Sequence, residues 1–236
     1  MKLKRAVSGL AGFLLALCLA VFVLACLLDG AGTSADLMAD MMRRFAPSGD
    51  TGLPEEEYDG MALMITRYLA GAENEFQYTL DDGSGGETGV FQAHEQQHMA
   101  DCRDLFVLDR KVLLVTATLA TGLAAVLLLL RQKRQGAMGC LIGGCFALLC
   151  VAAVGVWALI DFEGPFVLFH RISFSNNLWL LDPDTDMLIR LMPLDFFIHY
   201  VLYIGVTWLL FLGLWIAGSA VALRKAASHR TKRGMQ

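Results

Sequence analysis

Five histidines occur in this 236-residue chain, and two placements among them bear on chemistry. His94-Glu95-Gln96-Gln97-His98 matches H-E-x-x-H, a spacing that sets two imidazoles one helical turn apart so that both can bind zinc while the Glu acts as base. A catalytic zinc also wants a third protein ligand and an open fourth position. The nearby acids Asp101 and Asp104 are too close in sequence to wrap round such a metal easily. The second placement is His170, alone in the stretch DFEGPFVLFHRISFSNNLWLLDPDTDMLIRLMPLDFF at 161–197. An imidazole with an ordinary pKa near 6.5 can take or give a proton at neutral pH. Each chemical reading has a structural counterpart. His94 and His98 would be plain surface histidines, and His170 an interfacial residue bonded to a lipid headgroup. Asn176, Asn177, Trp179 and the Asp182-Pro183 turn would brace a loop through local backbone bonds and an interfacial ring. His199 reads as structural. Ser173 and Ser175 lie near His170, yet nothing in the sequence activates either as a nucleophile, and there is no Gly-rich phosphate loop or G-x-S-x-G elbow.

The elements that must carry these residues are membrane spans. Hydrophobic residues make up 56% of the chain and charged ones only 18%, with a mean hydropathy of +0.53, outside the range of an average soluble domain. The net charge of −4 points to no nucleic-acid partner. Four windows, about 6–28, 112–130, 137–160 and 198–223, are long and apolar enough to cross a hydrocarbon core of roughly 30 Å. Lys2, Lys4 and Arg5 precede the first. Arg131, Lys133 and Arg134 stand in the 131–136 loop, and Arg224, Lys225, Arg230, Lys232 and Arg233 follow the last. The positive-inside rule therefore predicts cytoplasmic termini and a cytoplasmic 131–136 loop, with outer loops at 29–111 and 161–197. All 23 carboxylates then fall on the outer side. The expected fold is an all-α integral membrane protein, a single membrane domain over 1–236 in which four transmembrane helices carry a small extracytoplasmic cap formed by the two outer loops.

Within the first outer loop, Leu37, Met38, Met41, Met42 and Phe45 have helical spacing, with Ser34 or Asp36 as N-cap. A second helix is expected from Pro54 to about Leu69, a short strand over 76–80, and a turn over 81–86. From Phe91 a helix should lead towards the second span and place His94, His98, Asp101, Cys102 and Leu105 on one side. In the second loop, 165–169 reads as a short re-entrant or interfacial segment, followed by a helix capped by Asp184 and stopped by Pro193. Of the six cysteines, only Cys102 lies outside a span, so no disulfide framework is implied. The tract Val23-Leu24-Ala25-Cys26 faintly resembles a lipoprotein signal peptidase site, but its apolar run exceeds a signal-peptide core and reads as an anchor.

Two motifs together carry a resemblance. One is Glu95-x-x-His98-Met99-x-Asp101. The other is Phe169-His170-x-x-x-Phe174-x-Asn176-x-x-Trp179-x-Leu181-Asp182-Pro183-x-x-Asp186-x-Leu188-Ile189-x-x-x-Pro193-x-x-Phe196-Phe197. They resemble the lipoprotein intramolecular transacylase family and related small bacterial membrane proteins. Residues 81–87 have no match in that pattern, and His94 is an extra histidine beside the one it carries. The resemblance implies an enzyme that moves the sn-2 acyl chain of a diacylglyceryl group to the α-amino group of the same lipoprotein's N-terminal cysteine, giving a lyso-form lipoprotein. It implies diacylglyceryl-modified bacterial lipoproteins and membrane lipid as partners, the bacterial cytoplasmic membrane as location, and no cofactor or metal. Its two essential histidines carry over to His98 and His170.

An α-amine with pKa near 8 must lose a proton to attack, and the departing glyceryl oxygen must gain one. The expected assignment makes His98 the general base, oriented by Asp101, with His170 as acid or oxyanion-side donor; the two roles could also be reversed. Arg171, Asn176 or Asn177 could stabilise the oxyanion. Against this, a straight helix from Phe91 to Val112 would set His98 on the order of 20 Å above the core boundary. Zinc peptidase chemistry and a non-enzymatic assembly role are the competing readings.

Overall fold

The computed structural model describes residues 1–81 and 83–234, with side chains described as far as Ser228. Arg230, Lys232 and Arg233 of the last basic flank lie outside the described side chains. The order is α1 (Lys2–Gly32), α2 (Ala35–Phe45), α3 (Ser48–Thr51), α4 (Glu57–Ala70), β1 (Thr79–Asp81), β2 (Glu87–Gly89), α5 (Ala93–Leu130), α6 (Lys133–Ile160), α7 (Glu163–Ser173), α8 (Met187–Leu191) and α9 (Leu194–Gly234). Each apolar window lies inside one of the long helices α1, α5, α6 and α9, which among the described residues are the four long and apolar enough to span a membrane. Among the described residues the fold is thus that of an all-α membrane protein apart from one small hairpin. The expected strand at 76–80 falls slightly later, and its edge is satisfied by β2, antiparallel with Leu80 opposite Thr88.

The chain forms two compact units. One comprises 1–27, 111–161 and 204–236 and contains the apolar lengths of α1, α5, α6 and α9. Between helices in hydrocarbon, close backbone approach replaces the hydrophobic effect as the source of cohesion. Gly9 and Gly12 of α1 meet Gly136 and Gly139 of α6 closely. A Cβ on Gly139 would stand 2.0 Å from the Gly9 carbonyl oxygen, and one on Gly12 2.3 Å from that of Gly136. The α9 helix joins them through indole N–H bonds, Trp208 to the Ala20 carbonyl at 2.9 Å and Trp215 to that of Cys140 at 3.2 Å.

The other unit, 28–110 and 162–203, has a conventional apolar core. The α2 helix begins at Ser34, whose hydroxyl accepts the Leu37 amide, and buries Met38, Met41 and Met42 as its spacing requires. The α4 helix begins at Glu57 rather than at Pro54, since 54–56 turn first. Its face of Tyr58, Met61, Ala62, Ile65 and Leu69 packs with α2, Phe76, Phe91, Met99 and the α8 residues Leu188 and Leu191. Each large side chain buried there contributes about 1.5–3 kcal/mol. The Tyr58 hydroxyl is satisfied inside this core by the Ala46 carbonyl and by Thr51 Oγ1. Arg110 ties three segments together, bonding Asp29 of α1 and the last carbonyls of α4, Leu69 and Ala70.

Candidate active site

His98 lies on the second turn of α5, and the start of that helix is fixed by Glu95, which is fully buried. One Glu95 oxygen accepts the Gln92 amide at 2.7 Å, half of a capping box on α5. The other accepts the Leu188 amide at 2.6 Å, in the first turn of α8. One carboxylate therefore serves two positive helix ends. The α8 helix accordingly starts at Met187 with its cap supplied by Glu95 across the fold; the expected cap, Asp184, lies in the preceding turn.

His94 is turned to a separate task. Its Nε2 lies 2.9 Å from Asp186 Oδ2, and Asp186, 2% exposed, also takes the Asp182 amide and the Thr185 hydroxyl. Burial acts to raise the Asp186 pKa, but these bonds, led by His94, outweigh it and hold the carboxyl below its ordinary value. With both Glu95 oxygens committed to backbone amides and His94 paired to Asp186, Glu95 supports two helix ends and His94 a loop, while His98 faces elsewhere. They do not converge on one point. Among the described residues no group of three or more His, Cys, Asp and Glu could hold a metal ion.

His170 sits on α7, a helix that takes in the 165–169 segment, and Pro165 is accommodated in its first turn. Phe166, His170 and Phe174 succeed one another at four-residue spacing, whereas Phe169 and Ile172 are exposed. This presents His170 to His98, the two ring centroids 6.3 Å apart. Aromatic rings enclose the pair: Phe166 and Trp179 lie 4.2 and 5.0 Å from His170, and Phe174 meets His98 edge-on at 5.1 Å.

The protons on these rings are partly determined. His170 Nδ1 is 2.8 Å from the Phe166 carbonyl oxygen, an acceptor only, so Nδ1 carries the hydrogen and donates it. In the neutral ring Nε2 is then a free lone pair. Burial pushes the His170 pKa below its ordinary value, against the opposing effect of that bond. Burial, reinforced by the neighbouring His170, pushes His98 down to about 4 despite the Asp101 charge. Both rings are neutral at pH 7. His98 is 7% exposed, and its Nδ1 is buried without a hydrogen-bond partner.

Asp101 does not hydrogen-bond to His98 as expected. It accepts from Asn176 Nδ2 at 2.8 Å, while Asn176 also takes the Leu178 amide on its Oδ1 and the Trp179 indole N–H on its carbonyl. Asp101, Asn176 and Trp179 thus form a brace from α5 to the ring beside His170. Arg171, Asn177 and Asp182 are exposed and make no hydrogen bond or ring contact with either imidazole. The Asn177 carbonyl takes the Leu180 amide, and Asp182 Oδ1 takes that of Asp184. Sequence reasoning passed over Phe166 and Phe174 as walls of the site and Glu95 as a cap. The Gln92-x-x-Glu95 spacing carried the last of these signals.

Four membrane-spanning helices and a histidine pair enclosed by aromatic rings define a membrane-integral enzyme equipped for proton transfer. The model of the lipoprotein intramolecular transacylase family, Lit, matches residues 13–197; the chain belongs to that family and is a membrane acyltransferase acting on lipoproteins. Among solved structures it is similar to the membrane-integral lipoprotein intramolecular transacylase Lit from Bacillus cereus. The identity is 20% over 100% of this chain and 99% of that one, with a TM-score of 0.61. It is similar also to two variants of that protein in which a histidine is replaced. The arginine variant is 20% identical over 100% of this chain and 96% of that chain, with a TM-score of 0.59. The alanine variant is 21% identical over 100% of this chain and 97% of that chain, with a TM-score of 0.62. At these identities the likeness shows the fold. No curated protein matches the sequence.

Proposed function

We propose that this transacylase moves the sn-2 acyl chain of a diacylglyceryl group to the α-amine of the same lipoprotein's N-terminal cysteine, with His170 as general base and His98 as oxyanion donor. The observation that carries the assignment is the bond from His170 Nδ1–H to the Phe166 carbonyl, which leaves Nε2 as the available lone pair. This reverses the roles expected from sequence. The amine nitrogen attacks the ester carbonyl carbon. His170 Nε2 takes a proton from that nitrogen and returns it to the glyceryl oxygen as the ester C–O bond breaks, so one residue acts as base and then as acid. The negative charge on the carbonyl oxygen meets the His98 ring. A neutral imidazole N–H suits that position, because the site is already desolvated and a donor fixed in advance needs no reorganisation.

Amine and ester belong to one molecule, so proximity is supplied by the substrate. The 6.3 Å between ring centroids is a span that one lipid head bridges. The aromatic walls also favour the uncharged amine over the ammonium, since burial disfavours the charged form. Arg171, Asn177 and Asp182 have no part in the step, and Asp101, Asn176 and Trp179 hold the site together. The reaction needs no metal ion or cofactor. By charge distribution the termini and the 131–136 loop face the cytoplasm, and both histidine-bearing loops lie on the outer side.

The test is expression in a bacterial host that lacks its own N-acylation step, with lipoprotein N-termini read by mass spectrometry. Lyso-form products carrying an N-acyl chain are expected. Unchanged diacylglyceryl cysteine despite good expression would sink the proposal, as would full activity in His170→Ala.

A further inference from the structure

Cys102 lies one turn after His98 on α5, and its Sγ is 3.7 Å from His98 Nε2, within reach of a sulfur hydrogen bond. The imidazole is its hydrogen-bond partner among the described residues. The thiol is half-buried by residue and packs on the apolar core. Burial, with a smaller contribution from the Asp101 charge, pushes its pKa up to about 12. It is therefore a neutral S–H at any physiological pH. On the other side of the same ring, Nδ1 is buried and unpartnered.

We propose that Cys102 is a positioning residue which donates its S–H to His98 Nε2 and thereby keeps the His98 hydrogen on Nδ1, directed to the developing oxyanion. This deepens the assignment made above and rests on it. A neutral imidazole has one N–H and one lone pair, and the bond at one nitrogen decides the other. If Nε2 carried the hydrogen, the thiol would serve as a weak sulfur acceptor, its own S–H would be an unmatched donor, and Nδ1 would present a lone pair to an incoming negative oxygen. With the S–H given to Nε2, the thiol is satisfied and the one unmatched group is the Nδ1–H, which the oxyanion assignment employs. No proton is transferred at His98 or Cys102 during the reaction. Both neutral histidines then have their tautomers set from within their own helices, His170 by a carbonyl four residues back and His98 by a thiol four residues on.

The experiment compares Cys102→Ala and Cys102→Ser in the full-length, detergent-purified enzyme, using a diacylglyceryl lipopeptide. Cys102→Ala should lower kcat about five- to tenfold with KM unchanged, the loss expected of one neutral hydrogen bond in the transition state. Cys102→Ser, which keeps a donor, should recover activity to within about threefold of the parent. Nitrogen-15 NMR of the parent should show His98 as the Nδ1–H tautomer, a readout that holds even if a variant folds poorly. An Nε2–H tautomer in the parent overturns the proposal, as do equal losses in the two variants. A hydroxylamine-labile acyl group on Cys102 also overturns it, since that would make the thiol a nucleophile. If His98→Ala keeps full activity, the oxyanion assignment itself has failed; if it is inactive while Cys102→Ala matches the parent, only the tautomer argument has.

Discussion

Replacing Glu95 separates a structural carboxylate from a chemical one. Its two oxygens take the amides of Gln92 and Leu188 in a setting with no solvent exposure. Bonds to a charged group contribute about 1.5–3 kcal/mol each, and deleting the acceptor leaves both amides unmatched. Glu95→Ala should therefore cost about 3–5 kcal/mol, with part of the loss coming from the cavity. For a chain of this size that is a fall of roughly 6–20 °C in apparent Tm. Glu95→Gln keeps one carbonyl oxygen but turns an N–H2 towards the second amide, so its fall should be about half as large. Thermal unfolding in detergent would be followed by tryptophan fluorescence, and lipopeptide conversion measured well below the transition. In Glu95→Gln, activity should stay within about threefold of the parent, because the side chain does not touch the reacting groups. A general base would behave in the opposite way, with a loss of about 10²–10⁴ in rate and an unmoved Tm. That second pattern, above all with activity restored by added zinc, would refute the capping argument and reinstate H-E-x-x-H as a catalytic motif.

His170→Ala and His98→Ala should each lower kcat by about 10²–10⁴ with little change in Tm, whereas His94→Ala should leave conversion largely intact. Asn176→Ala should cost about 1–2 kcal/mol in stability and several-fold in rate, measured as melting and kcat, since it removes the partner of Asp101 and of the Leu178 amide together. His98 stays neutral in the folded protein down to about 4, while the unfolded chain binds its proton near 6.5, so between these values the unfolded state holds more protons. Its contribution is complete above about pH 6.5 and is lost as pH falls to about 4. The loss is about 3 kcal/mol from His98, with His170 acting in the same direction, readable as denaturation midpoint against pH. Gly139→Ala should destabilise by about 1–3 kcal/mol, because its methyl meets the Gly9 carbonyl rather than a movable side chain, as a melting curve would show.

The spans were legible because about twenty apolar residues beside a basic flank have few other uses, and α1, α5, α6 and α9 contain the windows read from composition. The two histidines were legible through long motifs. What the sequence concealed was which partner each polar group takes. Asp101 is one turn from His98, and helical spacing alone pairs them, but Asn176 arrives from 75 positions away and accepts the role of neighbour. Likewise, Asp184 looks like a cap for α8 until Glu95 reaches the Leu188 amide from α5. Local spacing cannot report such competition, because the winner is decided by tertiary approach. The aromatic walls were hidden for a related reason: Phe166 and Phe174 are ordinary interfacial residues until α7 is seen to be a helix.

The long reach of these polar bonds has a consequence for how the protein is made. Asp29 and Arg110 are 81 residues apart, and at synthesis rates of about 5–20 residues per second roughly 4–16 s separate their appearance. Glu95 then waits a further 93 residues for the Leu188 amide. During that interval a charged carboxylate destined for complete burial is still accessible to water, and α5 has only the local half of its cap. The histidine-bearing unit can therefore close only after 162–203 has emerged, late in translation. A nascent chain arrested before Leu188 should expose residues 29–110 to proteolysis, whereas one arrested after 203 should protect them.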